Sequence, residues 1–252
     1  MLPPHFLSNL NYSGYEAVRV FFVISGFLIS GNALRRWDTL AAIDPRTFYA
    51  LRFSRIAPCL LLLLPALSVL HAVGAHDYVI DRPGQSLSRA LLAALGLHLN
   101  WYEGMTGYLP GNWDVLWSLS IEEAFYIGFP LVCLGTRRVW ILAPLLALLA
   151  ASMPWTHAAL TGNEIWQEKA YLPGMSAIAL GVIGALAAHR WPAPAVMQVR
   201  LLCVLGALGM LAELFAGRWL WPLMGDSILL LLINLRSRQL VQRLKEVPYP
   251  AP

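Results

Sequence analysis

The stretch WSLSIEEAFY, residues 117–126, sets two adjacent carboxylates, Glu122 and Glu123, inside a run that otherwise reads as a membrane-spanning helix. A carboxylate in a bilayer core costs at least ~2.5 kcal/mol even on translocon-insertion scales, so intramembrane acids face a partner, a cavity or a substrate path. What those two glutamates face is the question the other helices have to answer.

The surrounding composition supports the membrane reading. Of 252 residues 58% are hydrophobic and 13% charged, where a soluble domain carries about 25% charged. The 10 tryptophans fall mostly near the ends of apolar runs, as expected where an amphipathic ring seeks the headgroup layer. A net charge of +4 follows from Lys and Arg flanking helices on the cytoplasmic side, and no nucleic-acid partner is needed to explain it. Cys59, Cys133 and Cys203 stand singly in apolar runs and are expected to be small buried hydrophobes. Residues 1–5 have no basic region and place two prolines where an apolar core would begin, so no signal peptide is expected.

Apolar runs at 17–34, 56–74, 113–135, 139–155, 171–188, 201–216 and 219–234 approach the 17–25 residues a spanning helix needs. The expectation is an all-α, polytopic transmembrane helix bundle of about seven spans, a single domain over residues 1–240 followed by a basic, proline-containing tail at 241–252. Ser25-Gly26 and Ser30-Gly31 are small residues at a spacing that permits close helix packing. Between the first two spans lies a basic link carrying Arg35, Arg36, Arg46, Arg52 and Arg55.

One further apolar segment, 87–101, has only 15 residues and contains Arg89 and His98. Cytoplasmic loops should hold the excess of Lys and Arg, and this tests whether the segment crosses. If it does not, thirteen cations fall on one side and four on the other; if it does, the split is seven against ten. A short or re-entrant segment is the better reading. The link 35–55 is then cytoplasmic, and 1–15, 75–86, 102–112 and 156–170 face the opposite compartment. In that orientation Arg19 and the two glutamates enter from the same outer side, within one or two helical turns of each other in depth, which suits an Arg–Glu pair.

Three blocks, in order, resemble the acyltransferase 3 family of membrane acyltransferases, which includes bacterial O-acetyltransferases of cell-surface polysaccharides. GYEAVRVFFVISGFLI at 14–29 looks like the family's GV-[D/R]-x-FFVxSGFLI helix, FYALRFSRIAP at 48–58 its FxxxRxxRIxP segment, and residues 117–126 its WSLSxEExFY motif, with Ala124 where Gln is usual. The resemblance is strongest over 14–130 and extends to about 240, where YLPGMS at 171–176 enters a helix. It implies an enzyme that moves an acyl group, acetyl in the first instance, from acetyl-CoA or another acyl-CoA to a hydroxyl of an envelope glycan or small molecule. It also implies a bacterial inner-membrane location. Family members usually begin with an additional helix and continue beyond this chain's last span, so a chain shortened at both ends is expected.

The resemblance also suggests site residues. His5 is the nearest match to the family's histidine, and a neutral imidazole can take the proton of an attacking hydroxyl. Arg52 and Arg55 suit the phosphates of coenzyme A. Arg19, Glu122 and Glu123 would orient that histidine, stabilise charge or hold the acceptor; the simpler alternative is an Arg19–Glu pair that only fixes helix packing. Ser118 and Ser120 are better read as helix–helix hydrogen bonders than as nucleophiles. The other histidines lack metal-ligand spacing, so no metal is expected. The glycine-containing loop 102–112 is not a phosphate loop, because neither Gly-Lys-Ser/Thr nor a strand adjoins it. A transporter with an Arg–Glu relay, or an inactive remnant of the enzyme, stays open as an alternative; each block occurs once, against the inverted repeats many transporters carry.

Overall fold

A computed structural model describes residues 4–160 and 162–190, with side chains from residue 18 onward except residue 157. The expected spans at 201–216 and 219–234, the tail and Cys203 lie outside the described residues. Ten α-helices are described: α1 Pro4–Trp37, α2 Pro45–Ala72, α3 Leu87–Leu95, α4 Leu99–Thr106, α5 Gly111–Asp114, α6 Leu116–Thr136, α7 Val139–Ala151, α8 Met153–Ala159, α9 Glu164–Lys169 and α10 Tyr171–Arg190. No strand occurs among the described residues. Five stretches are long and apolar enough to cross a membrane: Val18–Trp37, Pro45–Ala72, Gly111–Thr136, Val139–Thr156 and Glu164–Arg190. They coincide with the five expected spans that fall within the described residues.

The second span differs in where it begins. Asp44 accepts hydrogen bonds from the backbone N–H groups of Arg46 and Thr47, and Pro45 occupies the first turn. Proline's fixed φ and missing N–H suit that position, and the Asp carboxylate satisfies donors that a helix start leaves open. The helix therefore starts eleven residues before the expected position 56, and most of the "link" is helical. Arg46, Arg52 and Arg55 ride on α2. Its side chains Phe53, Leu61, Leu62 and Val69 are exposed, as on a face turned to lipid. Cys59 shares that exposure, contrary to the expectation of a buried thiol, whereas Cys133 on α6 is buried.

The chain divides into two compact units, one holding residues up to Arg36 together with those from Ala177, the other Trp37–Ser176. In the first, α1 and the C-terminal part of α10 meet through glycines. A Cβ on Gly26 would lie 2.0 Å from the carbonyl oxygen of Ile178, and one on Gly181 would lie 2.1 Å from that of Val23. Backbones this close leave room only for hydrogen at those positions, the small-residue packing that drives helix association in lipid. Gly31 has nothing within 4 Å of its would-be Cβ, so of the two small pairs on α1 only the first sits at a backbone crossing.

In the second unit, α6 packs against α2, α3, α4, α7 and the short 3₁₀ turn Leu40–Ala42. Its core includes Leu64 and Leu67 of α2, Ile80, Ala90, Ala93 and Ala94 of α3, Leu99, Leu109, Trp113 and Leu116. The short segment is two helices, α3 and α4, of 9 and 8 residues, about 13 and 12 Å long and each under half the ~30 Å hydrocarbon thickness. Between them Leu97 adopts a left-handed φ of 57°. The chain before α3 and the chain after α4 are stitched together: Gln85 Nε2 donates to the Gly107 carbonyl at 2.8 Å, Trp113 Nε1 to Tyr78 O at 3.0 Å and Asn112 Nδ2 to Asp77 O at 3.3 Å. The two ends of the α3–α4 pair are thus held side by side.

The glycine crossing gives a direct test. Gly26→Ala and Gly181→Ala should each destabilise the protein by about 1–3 kcal/mol, the usual cost of overpacking, while Gly31→Ala should be neutral. Thermal unfolding of the three purified variants in detergent would check this; equal midpoints for all three would show that the crossing is not tight.

Candidate active site

The second and third blocks meet along one seam of α2 and α6. On α2, Phe48, Tyr49 and Arg52 lie three and four residues apart and so share a face. Phe48 contacts Phe129 of α6 with ring centroids 6.2 Å apart, and the Tyr49 hydroxyl donates to the Ile127 carbonyl at 2.7 Å. Phe129 in turn stacks on Phe125. These contacts lock the register of the two helices, and that register carries Arg52 to Glu123, with Arg52 Nη2 and Glu123 Oε1 3.5 Å apart. The two side chains are 13% and 14% exposed, so the pair is largely removed from solvent. The Arg52 guanidinium also lies 3.8 Å from the centroid of the Tyr126 ring, a cation–π geometry that strengthens on desolvation. Tyr126 completes the set by donating its hydroxyl to Glu122 Oε1 at 3.3 Å.

Neighbouring residues on a helix point about 100° apart, and Glu122 and Glu123 accordingly have different partners. Glu123 faces α2, whereas Glu122 is buried along the line of Tyr126, one turn on. In the sequence reading Arg52 lay at the cytoplasmic end of its span and Glu123 toward the outer side; the ion pair puts them at one level. The early start of α2 explains the difference, because Arg52 lies seven residues, or about 10 Å, inside the helix. Arg55, a turn further on, is exposed. Arg19 is buried in the other unit. His5 belongs to the same continuous helix, its backbone about 21 Å along the axis from that of Arg19, further than two side chains can bridge. Its own side chain lies outside those described. Ser120 is buried, and its hydroxyl accepts from the Leu99 N–H at 3.1 Å, a bond between α6 and the start of α4.

A second charged cluster escaped the sequence reading. Lys169, 3% exposed, contacts Glu103 Oε2 at 2.9 Å and also pairs with Asp114. Glu103 is fully buried and accepts the Leu109 N–H at 3.1 Å. The Lys169 ammonium lies 4.4 Å from the Tyr108 ring centroid and 5.6 Å from that of Trp117. Lys169 belongs to 156–170 and Glu103 to 102–112, two stretches expected to be connections on the outer side. The available signal was that Lys169 is one of two lysines in the chain and directly precedes an apolar span. Burial, relieved only in part by Lys169 and reinforced by Asp114, pushes the Glu103 carboxyl up to about 8. Burial likewise raises the Tyr108 phenol above its ordinary range, with the Glu168 charge adding to it. Among the described residues no group of three or more His, Cys, Asp or Glu could hold a metal.

With three motif blocks in order and two of them joined through Arg52, Glu123 and Tyr126, the class is that of a membrane acyltransferase. A family model described as an acyltransferase domain matches residues 1–244, and the chain belongs to that family, acyltransferase 3. It is similar to the peptidoglycan O-acetyltransferase OatA of Listeria monocytogenes, 27% identical over 178 residues that make up 66% of this chain and 27% of that protein. The O-acetyltransferase OatA of Staphylococcus aureus is 31% identical over 130 residues, 47% of this chain and 20% of that protein. The chain thus spans under a third of the length of these curated relatives. No solved structure matches.

The Glu103 cluster predicts a pH dependence of stability. A buried acid with a raised pKa binds its proton in the folded state at a pH where the unfolded chain has lost it. Its contribution is therefore full below the ordinary glutamate range and lost as pH rises through that range toward about 8. The unfolding midpoint in detergent should fall between pH 5 and pH 9, on the order of several degrees for a linkage of about a kcal/mol. Glu103→Gln should flatten that slope; an unchanged slope in the variant would place its origin elsewhere.

Proposed function

We propose that this chain is an O-acetyltransferase of the bacterial inner membrane that transfers acetyl from acetyl-CoA to a hydroxyl of an envelope glycan. The observation that carries the reading is the convergence of the family's basic and acidic blocks, with Arg52 on Glu123 and Tyr126, and Tyr126 on Glu122. The names of the similar proteins supply the reaction and, for the Listeria protein, a glycan acceptor.

In this reading the acceptor hydroxyl oxygen attacks the thioester carbonyl carbon, the C–S bond breaks, and the coenzyme leaves as its thiol. Arg55 is exposed on α2 and is assigned a phosphate of the donor. Arg52, further engaged with Glu123, is assigned the end of the donor that enters the helix seam. Opposite charge at the seam counters the charge that builds on the thioester oxygen, which is where preorganised groups contribute most to catalysis. Glu122 and Glu123 are assigned the acceptor. His5 is assigned the proton of the hydroxyl, and its axial distance from Arg19 separates the two tasks: Arg19 acts on charge within the span rather than on the same atom.

The test is thiol release from acetyl-CoA by the purified full chain in detergent or nanodiscs, with and without an N-acetylglucosamine oligosaccharide. Acceptor-dependent release is expected. Arg55→Ala should raise KM for acetyl-CoA about tenfold, the effect of one lost charge-assisted contact of about 1.5 kcal/mol. His5→Ala should reduce kcat by about a hundredfold or more, the usual contribution of a general base. A wild-type chain that releases no thiol with any acceptor would sink the assignment.

A further inference from the structure

From the geometry of the α2–α6 seam, and resting on the transferase reading above, we infer that Tyr126 is a positioning residue that couples Arg52 to Glu122. Three contacts form an unbroken path: Glu123 to Arg52 at 3.5 Å, Arg52 to the Tyr126 ring centroid at 3.8 Å, and the Tyr126 hydroxyl to Glu122 at 3.3 Å. The two acids point about 100° apart on α6 and have different hydrogen-bond partners. Tyr126 joins the two sets because it lies one turn beyond Glu122 and three residues beyond Glu123, with its ring under Arg52, the partner of Glu123, and its hydroxyl on Glu122. It is 2% exposed, and a buried phenol of this kind has its hydroxyl fixed by its partner.

Arg52 carries a further feature that points to a ligand. Its Nε is buried and has no hydrogen-bond partner, while one Nη reaches Glu123. Leaving a buried guanidinium donor unmatched is costly, and an oxygen of the acyl donor would satisfy it. Drawing Arg52 toward such an oxygen loosens its hold on Glu123 and shifts the cation over the Tyr126 face. The ring then relays donor occupancy to the hydroxyl that orients Glu122. Donor binding and acceptor activation are thus linked through one aromatic side chain, although they engage different glutamates of α6.

Two substitutions separate the two halves of the bridge. Tyr126→Phe keeps the ring under Arg52 and deletes the bond to Glu122; Tyr126→Leu deletes both. In the acetyl-CoA assay with an N-acetylglucosamine oligosaccharide, Tyr126→Phe should lower kcat about tenfold to a hundredfold with KM for acetyl-CoA unchanged. That split, kcat lowered at unchanged KM, is the mark of lost positioning rather than lost donor binding. Tyr126→Leu should in addition raise KM for acetyl-CoA at least threefold. Thermal unfolding of both variants is measured alongside. A Phe variant with wild-type kcat overturns the inference, as does a loss of activity in both variants that only follows the folded fraction. Wild-type protein without thiol release overturns the transferase reading and this inference together, which the wild-type arm reveals before any variant is compared.

Discussion

A guanidinium and a carboxylate held together inside an apolar helix seam set the terms for the larger unit. Neither charge is tolerable alone at that depth: each would cost several kcal/mol, and their attraction offsets this only when geometry and further contacts are good. Glu123 and the Tyr126 ring supply those contacts to Arg52. The aromatic register of Phe48, Tyr49 and Phe129 brings the charged groups to the same height. Packing and electrostatics thus specify one alignment of α2 on α6, since a slip by one residue would rotate Arg52 away from its acid.

The Lys169 cluster applies the same rule elsewhere in that unit. One ammonium serves two carboxylates, Glu103 from α4 and Asp114 from the turn before α6. It thereby ties the returning hairpin to the start of the helix that bears the acidic block, and Ser120 adds a neutral bond to the N-terminus of α4. In the other unit the described contact between α1 and α10 at Gly26 and Gly181 is one of backbones. There, close approach at Gly26 and Gly181 does the work through dispersion and backbone proximity.

Much of this was legible in the chain. Apolar run lengths gave the described spans, the distribution of arginines gave the non-crossing segment, and the motif blocks gave the family. What was not legible depended on tertiary choices. Asp44-Pro45 is a helix-start signal, but it lay inside a stretch that basic residues made look like a loop, so Arg52 was set at the membrane surface rather than in the seam. The depth of Glu122 and Glu123 suggested Arg19 as a partner for one of them, but depth alone did not show that Arg52, on a different helix, also reaches Glu123. Glu103 and Lys169 are 66 residues apart, and no local pattern announces a pair at that separation. His5 was picked out by its place before the first block, and a continuous α1 is a fact about geometry that spacing in the sequence does not contain.

The stitched hairpin has a consequence for how this architecture can change. Because α3 and α4 leave and return at one level, held by Gln85, Asn112 and Trp113 to the loops on either side, the excursion does not alter the parity of the chain. A change in the turn between α3 and α4 leaves every later helix its direction through the bilayer, while Ala90, Ala93, Leu99 and Glu103 keep the two helices tied to the core. Gain or loss of any complete span would instead turn all downstream segments over, exchanging the compartments to which their loops are delivered. The hairpin is therefore a place where this fold can vary without renegotiating its orientation.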